Sequence, residues 1–183
     1  ALTEFVRGLG DSVTRLDRIE PHLNTRHETE PLDTTSPRAM ARAMKTLLTG
    51  NILTEKSRKT LQQWLLANTT GGKRLKAGIP ETWLIGDKTG TNQTDANDIG
   101  VIYPPLRAPI FVTAYLANST ASSQLKDETL ADVVVLPAGK DNLVDPQILA
   151  LEIKKYENRS LKIGSFTACS NVTGIITPYQ ELA

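Results

Sequence analysis

Cysteine and histidine are scarce in this chain of 183 residues: Cys169 stands alone, and His22 and His27 are the two histidines. A single cysteine excludes an internal disulfide and every multi-cysteine metal site. Two histidines cannot build a histidine-rich metal site without carboxylate help. An excess of one charge is missing too. Lys and Arg number 21 against 20 Asp and Glu, a net charge of +1, so no strong field invites nucleic acid. No apolar run approaches the roughly 18 residues of a membrane span. Neither nucleic acid nor membrane is expected as a partner. The first residues carry no basic start, continuous apolar stretch or small-residue cleavage site, so no signal peptide is legible and localisation stays unknown. What the sequence does hold, 39% hydrophobic and 22% charged residues, suffices for a globular core.

Leu2, Phe5, Val6 and Leu9 repeat at the spacing of an amphipathic helix that Gly10 ends, so the chain is expected to begin in the middle of a folded element. Asp11 to Ser36 is rich in charge, interrupted by Pro21 and Pro31, and reads as a long ordered loop of the kind that often carries function. Ser36-Pro37 forms an N-cap and first helical position, followed by the stripe Met40, Met44, Leu47 and Leu48 and a closing Gly50. A further helix starts near Thr54 and presents Leu61, Trp64 and Leu65, with Gly71 and Gly72 breaking the pattern. Trp83–Gly86, Ile99–Tyr103 and Ile110–Leu116 are strand-prone and spaced as antiparallel neighbours. A helix from about Ser122 to Asp132 then covers the sheet.

From Val133 the pattern changes. Val133–Leu136 reads as a strand, Asp145-Pro146 opens a helix with Ile148, Leu149 and Ile153 for burial, and Leu161–Phe166 alternates like another strand. Thr177-Pro178 opens a last helix with only five residues left, too few to be stable alone.

Two short stretches carry chemistry. Glu20-Pro21-His22-Leu23-Asn24 sets a carboxylate and an amide four residues apart in the long loop, where both could converge on a water and the carboxylate could act as its general base. Gly86-Asp87-Lys88-Thr89-Gly90-Thr91 lies at the end of a strand and offers an ammonium, hydroxyls and a bare backbone position, which suits a substrate carboxylate. Each pattern is common by itself.

Together, in this order and spacing, they resemble the class A serine β-lactamases, with their Glu-x-x-Leu-Asn omega loop and Lys-Thr-Gly strand. Arg15-Leu16-Asp17-Arg18, Asp33-Thr34-Thr35 and Leu47-Leu48-Thr49-Gly50 agree as well, and the resemblance covers about 1–132. It implies that Glu20 is the base for the deacylating water and Asn24 its co-ligand. It implies that Arg18 and Asp33 pin the loop ends and that the Glu20-Pro21 bond is cis. Lys88, Thr89, Gly90 and Thr91 would form the substrate-binding strand, the Thr91 N–H being half of the oxyanion hole. Many relatives place an arginine on the next strand, where this chain has Asn97-Asp98; Arg107 is not assigned that role.

The family's acylated serine in Ser-x-x-Lys and its Ser-Asp-Asn motif both precede the omega loop, and neither lies within these residues. Ser123-Gln124-Leu125-Lys126 satisfies the first pattern but aligns with the family's final helix, on the wrong side of the chain, so it is not assigned as nucleophile. Activity of the chain alone is therefore not expected.

The tail has another likeness. Leu161–Phe166 and Ser170-Asn171-Val172-Thr173-Gly174 resemble a short internal piece of class V pyridoxal-phosphate aminotransferases, over about 135–183. That family's Schiff-base lysine would come later, so no cofactor is expected. The resemblance implies that Asn171 stands where that family's asparagine lies beside the cofactor. Asn171 reads at least as well as a turn residue before Gly174, and Cys169 reads as a small buried residue and not a reactive thiol.

The expected fold class is α/β: a partial β-lactamase/transpeptidase-like fold, helices packed with an antiparallel sheet, plus an α/β appendage. The expected domains are 1–132 and 133–183, as in a chimera. The expected partners are a β-lactam if complemented, an N-terminal β-lactamase fragment, or a second copy. The resembled family is periplasmic or secreted and confers antibiotic resistance. A non-catalytic scaffold is the alternative. Leu2, Phe5, Leu47, Leu61 and Leu65 are expected to be less buried than in a complete member.

Overall fold

The computed structural model describes residues 1–25, 29–132 and 146–155. The chain divides into two compact units, Ala1–Val133 and Val134–Ala183. In the second, helix α5 spans Pro146–Lys155, with Ile148 half-buried and Leu151 exposed. The expected strands at 133–136 and 161–166, the helix at 177, Cys169 and Asn171 lie outside the described residues.

In the first unit, α1 (Leu2–Gly8) runs about two turns with Leu9 as its C-cap, and Gly10 takes φ 82, where a side chain is disfavoured. Helix α2 (Pro37–Thr49) starts as its sequence dictates. Ser36 is extended, its hydroxyl accepts the Ala39 N–H at 3.2 Å, and Pro37 needs no donor at that position. Ala39, Ala43 and Met44 are its buried face. Gly50 ends it in an extended conformation, not a left-handed one. A Cβ there would lie 2.5 Å from the Thr46 carbonyl oxygen, which is why the position excludes larger residues. Helix α3 (Glu55–Leu66) is capped by Thr54, whose hydroxyl accepts from Ser57 N–H. It ends at Leu66, well before Gly71.

Three antiparallel strands follow in the order β1 (Leu84–Thr91), β2 (Ala96–Tyr103), β3 (Ile110–Leu116). The first is longer than its apolar run suggests: the ladder pairs Lys88 with Ile99, Thr89 with Asp98 and Thr91 with Ala96. The Lys-Thr-Gly triplet thus lies within the strand, which runs on to Thr91. Backbone pairing to β2 overrides the loss of alternation.

Alternation along β1 sends Gly86 and Lys88 to one face and Ile85, Asp87, Thr89 and Thr91 to the other. Helices α2 and α3 cover the first face. A Cβ on Gly86 would come within 3.0 Å of the Leu65 Cβ, and the Thr113 hydroxyl donates to the Pro37 carbonyl at 2.8 Å. The second face holds Leu75, in a 3-10 turn over Leu75–Gly78, and α4 (Ser123–Ala131). Ser122 caps α4 by accepting the Leu125 N–H. Ile85, Leu75, Ala96, Val101, Ile102 and Leu130 form the core around the sheet.

Of the residues expected to be less buried, Leu2 is 50% and Phe5 45% exposed, and Leu47, Leu61 and Leu65 are half-buried.

The segment from Asn68 to Arg74 wraps round the β1 edge from the α3 side to the Leu75 side. Gly71 makes this possible, because a Cβ there would lie 1.7 Å from Asp87 Oδ2. Gly71→Ala is expected to cost about 1–3 kcal/mol, seen as a lower urea midpoint.

Candidate active site

The long loop is closed by its own charges. Asp33, at φ 52, turns its carboxylate back so that Oδ1 accepts the N–H groups of Asp17 (2.7 Å) and Arg18 (2.9 Å). Its Oδ2 takes the Arg18 guanidinium at 2.5 Å. Asp17 returns the contact by accepting the Asp33 N–H at 3.0 Å, and Arg18 also donates to the Thr25 carbonyl. Arg15 N–H to the Thr34 carbonyl and the Thr14–Thr35 hydroxyl contact tie the same two chain ends.

Burial raises the Asp33 carboxyl, but the backbone donors of Arg18 and Asp17 and the guanidinium outweigh it and hold it at about 2. A group lowered from 3.8 to about 2 adds stability above the ordinary value and loses it as pH falls through the folded one. Acid unfolding should therefore deepen between those values, and Asp33→Asn should flatten the curve there. Circular dichroism against pH reads this directly.

Within the pinned loop, His22–Asn24 forms a 3-10 turn and the Glu20-Pro21 peptide is cis. The turn brings the Asn24 side-chain amide onto Glu20, to whose Oε2 it donates a hydrogen bond. Both side chains are exposed. A carboxylate and an amide so joined offer a water one base and one polar neighbour.

On the strand, Lys88 is exposed and its ammonium donates to the Thr89 carbonyl at 2.6 Å. Thr89 shares a hydroxyl contact with Thr70 at 2.5 Å. Gly90 is open to solvent. Thr91 accepts from a residue that sequence reasoning did not single out. Arg74, nearly buried, donates to Thr91 Oγ1 (2.7 Å), Gly90 O (3.1 Å) and Asn97 O (2.8 Å), and pairs with Asp127 at 2.7 Å. Its guanidinium thus reaches the end of the strand from across the sheet edge. It brings positive charge to the end of β1 and to Asn97 on β2.

The sequence profile described as the beta-lactamase enzyme family matches residues 1–135. The chain belongs to that family. A β-lactamase of Streptomyces albus G is 48% identical over 133 residues, 72% of this chain and 42% of that protein. An imipenem-hydrolyzing β-lactamase of Enterobacter cloacae is 41% identical over 133 residues, covering 72% and 46%. Among solved structures, the class A β-lactamase of the last common ancestor of Gram-negative bacteria superposes with TM-score 0.69 at 52% identity, covering 72% of this chain and 50% of that one. A β-lactamase from Xanthomonas campestris gives the same score at 49% identity, covering 71% and 49%. The chain therefore spans less than half the length of these curated relatives. Its fold, helices packed on an antiparallel sheet, is part of the class A β-lactamase fold.

Against this β-lactamase frame the structure brings Glu20 to Asn24 and Arg18 to Asp33, and aligns Lys88, Thr89, Gly90 and Thr91 on one strand. Among the described residues no hydrogen bond joins the Glu20–Asn24 pair to that strand. Ser123 sits in the first turn of α4, and the Lys126 ammonium is buried and given to the Gln93 carbonyl at 2.7 Å. That helix packs on the sheet face opposite Lys88, against the Leu75 turn, β2 and β3. Arg74 carries no local sequence signal. A lone arginine after Gly71-Gly72 looks like a solvated loop charge, and its partners Thr91, Asn97 and Asp127 are distant in sequence.

Proposed function

We propose that these residues form the C-terminal portion of a serine β-lactamase, which opens the β-lactam amide through an acyl-enzyme. The observation that carries this reading is the Asn24–Glu20 hydrogen bond inside a loop pinned by Arg18 and Asp33. In deacylation, Glu20 takes a proton from a water held with Asn24, and the water oxygen bonds to the ester carbonyl carbon. The bond from that carbon to the serine oxygen then breaks, and the serine regains a proton. Lys88, Thr89 and Thr91 hold the substrate carboxylate, with Arg74 adding charge behind Thr91. The Thr91 N–H points to the oxyanion.

The acylated serine must come from a Ser-x-x-Lys segment outside these 183 residues, so they do not hydrolyse β-lactams by themselves. The tail, about 133–183, is a separate domain in this proposal, similar to a piece of a class V aminotransferase but without pyridoxal phosphate chemistry. A non-catalytic chimeric scaffold is the rival reading.

A chromogenic cephalosporin separates the two. The lone chain should leave it intact, and a polypeptide carrying Ser-x-x-Lys and Ser-Asp-Asn should restore hydrolysis, by docking as an N-terminal fragment. Robust turnover by the lone chain that survives both Glu20→Ala and Lys88→Ala rejects the assignment. No turnover with a partner that demonstrably docks favours the scaffold.

A further inference from the structure

A cavity of about 250 Å³ opens where α2, α3 and the ends of β2 and β3 meet, with no role in the chemistry above. Its base is apolar. Val101 and Phe111 pair across the ladder on the sheet face that α2 and α3 cover, and Leu48 and Pro109 stand beside them. Its walls are polar: Arg58 and Gln62, one turn apart on α3, and Tyr103 at the end of β2. The Gln62 amide is within hydrogen-bonding reach of the Tyr103 hydroxyl, and burial raises that phenol, so it stays a neutral donor. The volume is below the roughly 300–1,000 Å³ of a pocket for a drug-sized ligand. It suits a single ring with one polar head.

The charges around the cavity do not cancel. Lys59 at its mouth is matched by Glu55 at 2.6 Å. Arg58 is half-buried and gives Nη1 to the Gly50 carbonyl, and among the described residues it has no carboxylate partner. A planar guanidinium holds further donors beside the one so used. A cation partly withdrawn from water, with no counter-charge, carries a desolvation cost that an anion offsets. The neighbourhood strengthens the pull. Between Pro37 and Leu66 six arginines and lysines stand against one carboxylate, Glu55, in a chain whose net charge is only +1.

We propose that this cavity binds a small aromatic carboxylate, its ring against Phe111 and Leu48 and its carboxylate on the free donors of Arg58. Guanidinium and carboxylate match as two parallel charge-assisted hydrogen bonds, a geometry that a lysine in the same place could not offer. Phe111 favours a ring over an aliphatic chain through offset or edge-to-face contact. The site is distinct from the binding strand. Val101 and Tyr103 stand opposite Gly86 and Leu84 in the ladder, toward the start of β1, whereas Lys88 stands opposite Ile99. The proposal therefore does not depend on the β-lactam reading.

Benzoate and benzyl alcohol, one ring with and without the charge, test it on the full chain by NMR titration with isotope-labelled protein. Benzoate should move the signals of Arg58, Tyr103 and Phe111 along one saturating curve, with Kd on the order of 1 mM for so few atoms. Benzyl alcohol should bind the same residues about tenfold more weakly, for want of the charge-assisted bonds. Arg58→Gln should weaken benzoate by about the same factor and leave benzyl alcohol nearly unchanged. Shifts confined to Lys88 and Thr89 would place the carboxylate on the binding strand and overturn the proposal. So would benzyl alcohol binding as tightly as benzoate, or no saturation at the cavity residues. If Arg58→Gln does not fold, the comparison of the two ligands on the unaltered chain decides.

Discussion

With the nucleophile segment supplied, Glu20→Ala should slow release of the acyl group by about 10²–10⁴-fold, the usual worth of a positioned general base. The acylated serine would then accumulate, and intact-mass spectrometry would show the added penicilloyl mass persisting long after mixing. The expectation follows from geometry. Glu20 is hydrogen-bonded to Asn24 on a turn whose two ends Arg18 and Asp33 hold, so its carboxylate has a defined position at the surface of the loop. Asn24→Ala removes the neighbour but not the base and should cost less. Steady-state rates that fall equally for Glu20→Ala and Asn24→Ala, with no acyl species detected, would show that the loop acts as a unit in binding instead.

The elements that announced themselves in the sequence are those closed by local chemistry. Ser36-Pro37, Thr54 and Ser122 each supply a cap within three residues of the N–H they serve, so the starts of α2, α3 and α4 were legible. The β3 run, Ile110–Leu116, was legible from its β-branched and aromatic content. Features made by long-range pairing were not. The reach of β1 through Lys88–Thr91 depends on β2 lying beside it: the two glycines, Asp87 and Lys88 weaken the strand preference that Thr89 and Thr91 supply. Gly71 looks like a helix breaker, yet its lack of a side chain serves Asp87 on the sheet. The Glu20–Asn24 pair was found because its two members are four residues apart. Lys88 was found from the ammonium and hydroxyls of its own stretch, and resemblance to a family joined the two. Neither route leads to Arg74, whose partners come together only once the register is set.

Arg74 shows what such a cluster is worth. Its guanidinium serves the Asp127 carboxylate, two backbone carbonyls and the Thr91 hydroxyl at once, a set that a planar group with five donors can span. Arg74→Ala leaves Gly90 O and Asn97 O without these donors and Asp127 without its cation. Breaking a buried pair costs about 3–5 kcal/mol, and because Asp127 keeps some solvent the expected loss is about 2–4 kcal/mol. Arg74→Lys retains the charge but only one nitrogen, so it should recover part of that loss. Urea unfolding of the chain measures both. A binding role adds a second signature. In the complemented enzyme, at a temperature where all forms are folded, KM for a carboxylate-bearing β-lactam should rise in Arg74→Ala and fall back in Arg74→Lys, with kcat changing less. Loss of stability with KM unmoved would leave Arg74 as a brace between α4 and the sheet and return the recognition of the carboxylate to Lys88 and the threonines alone.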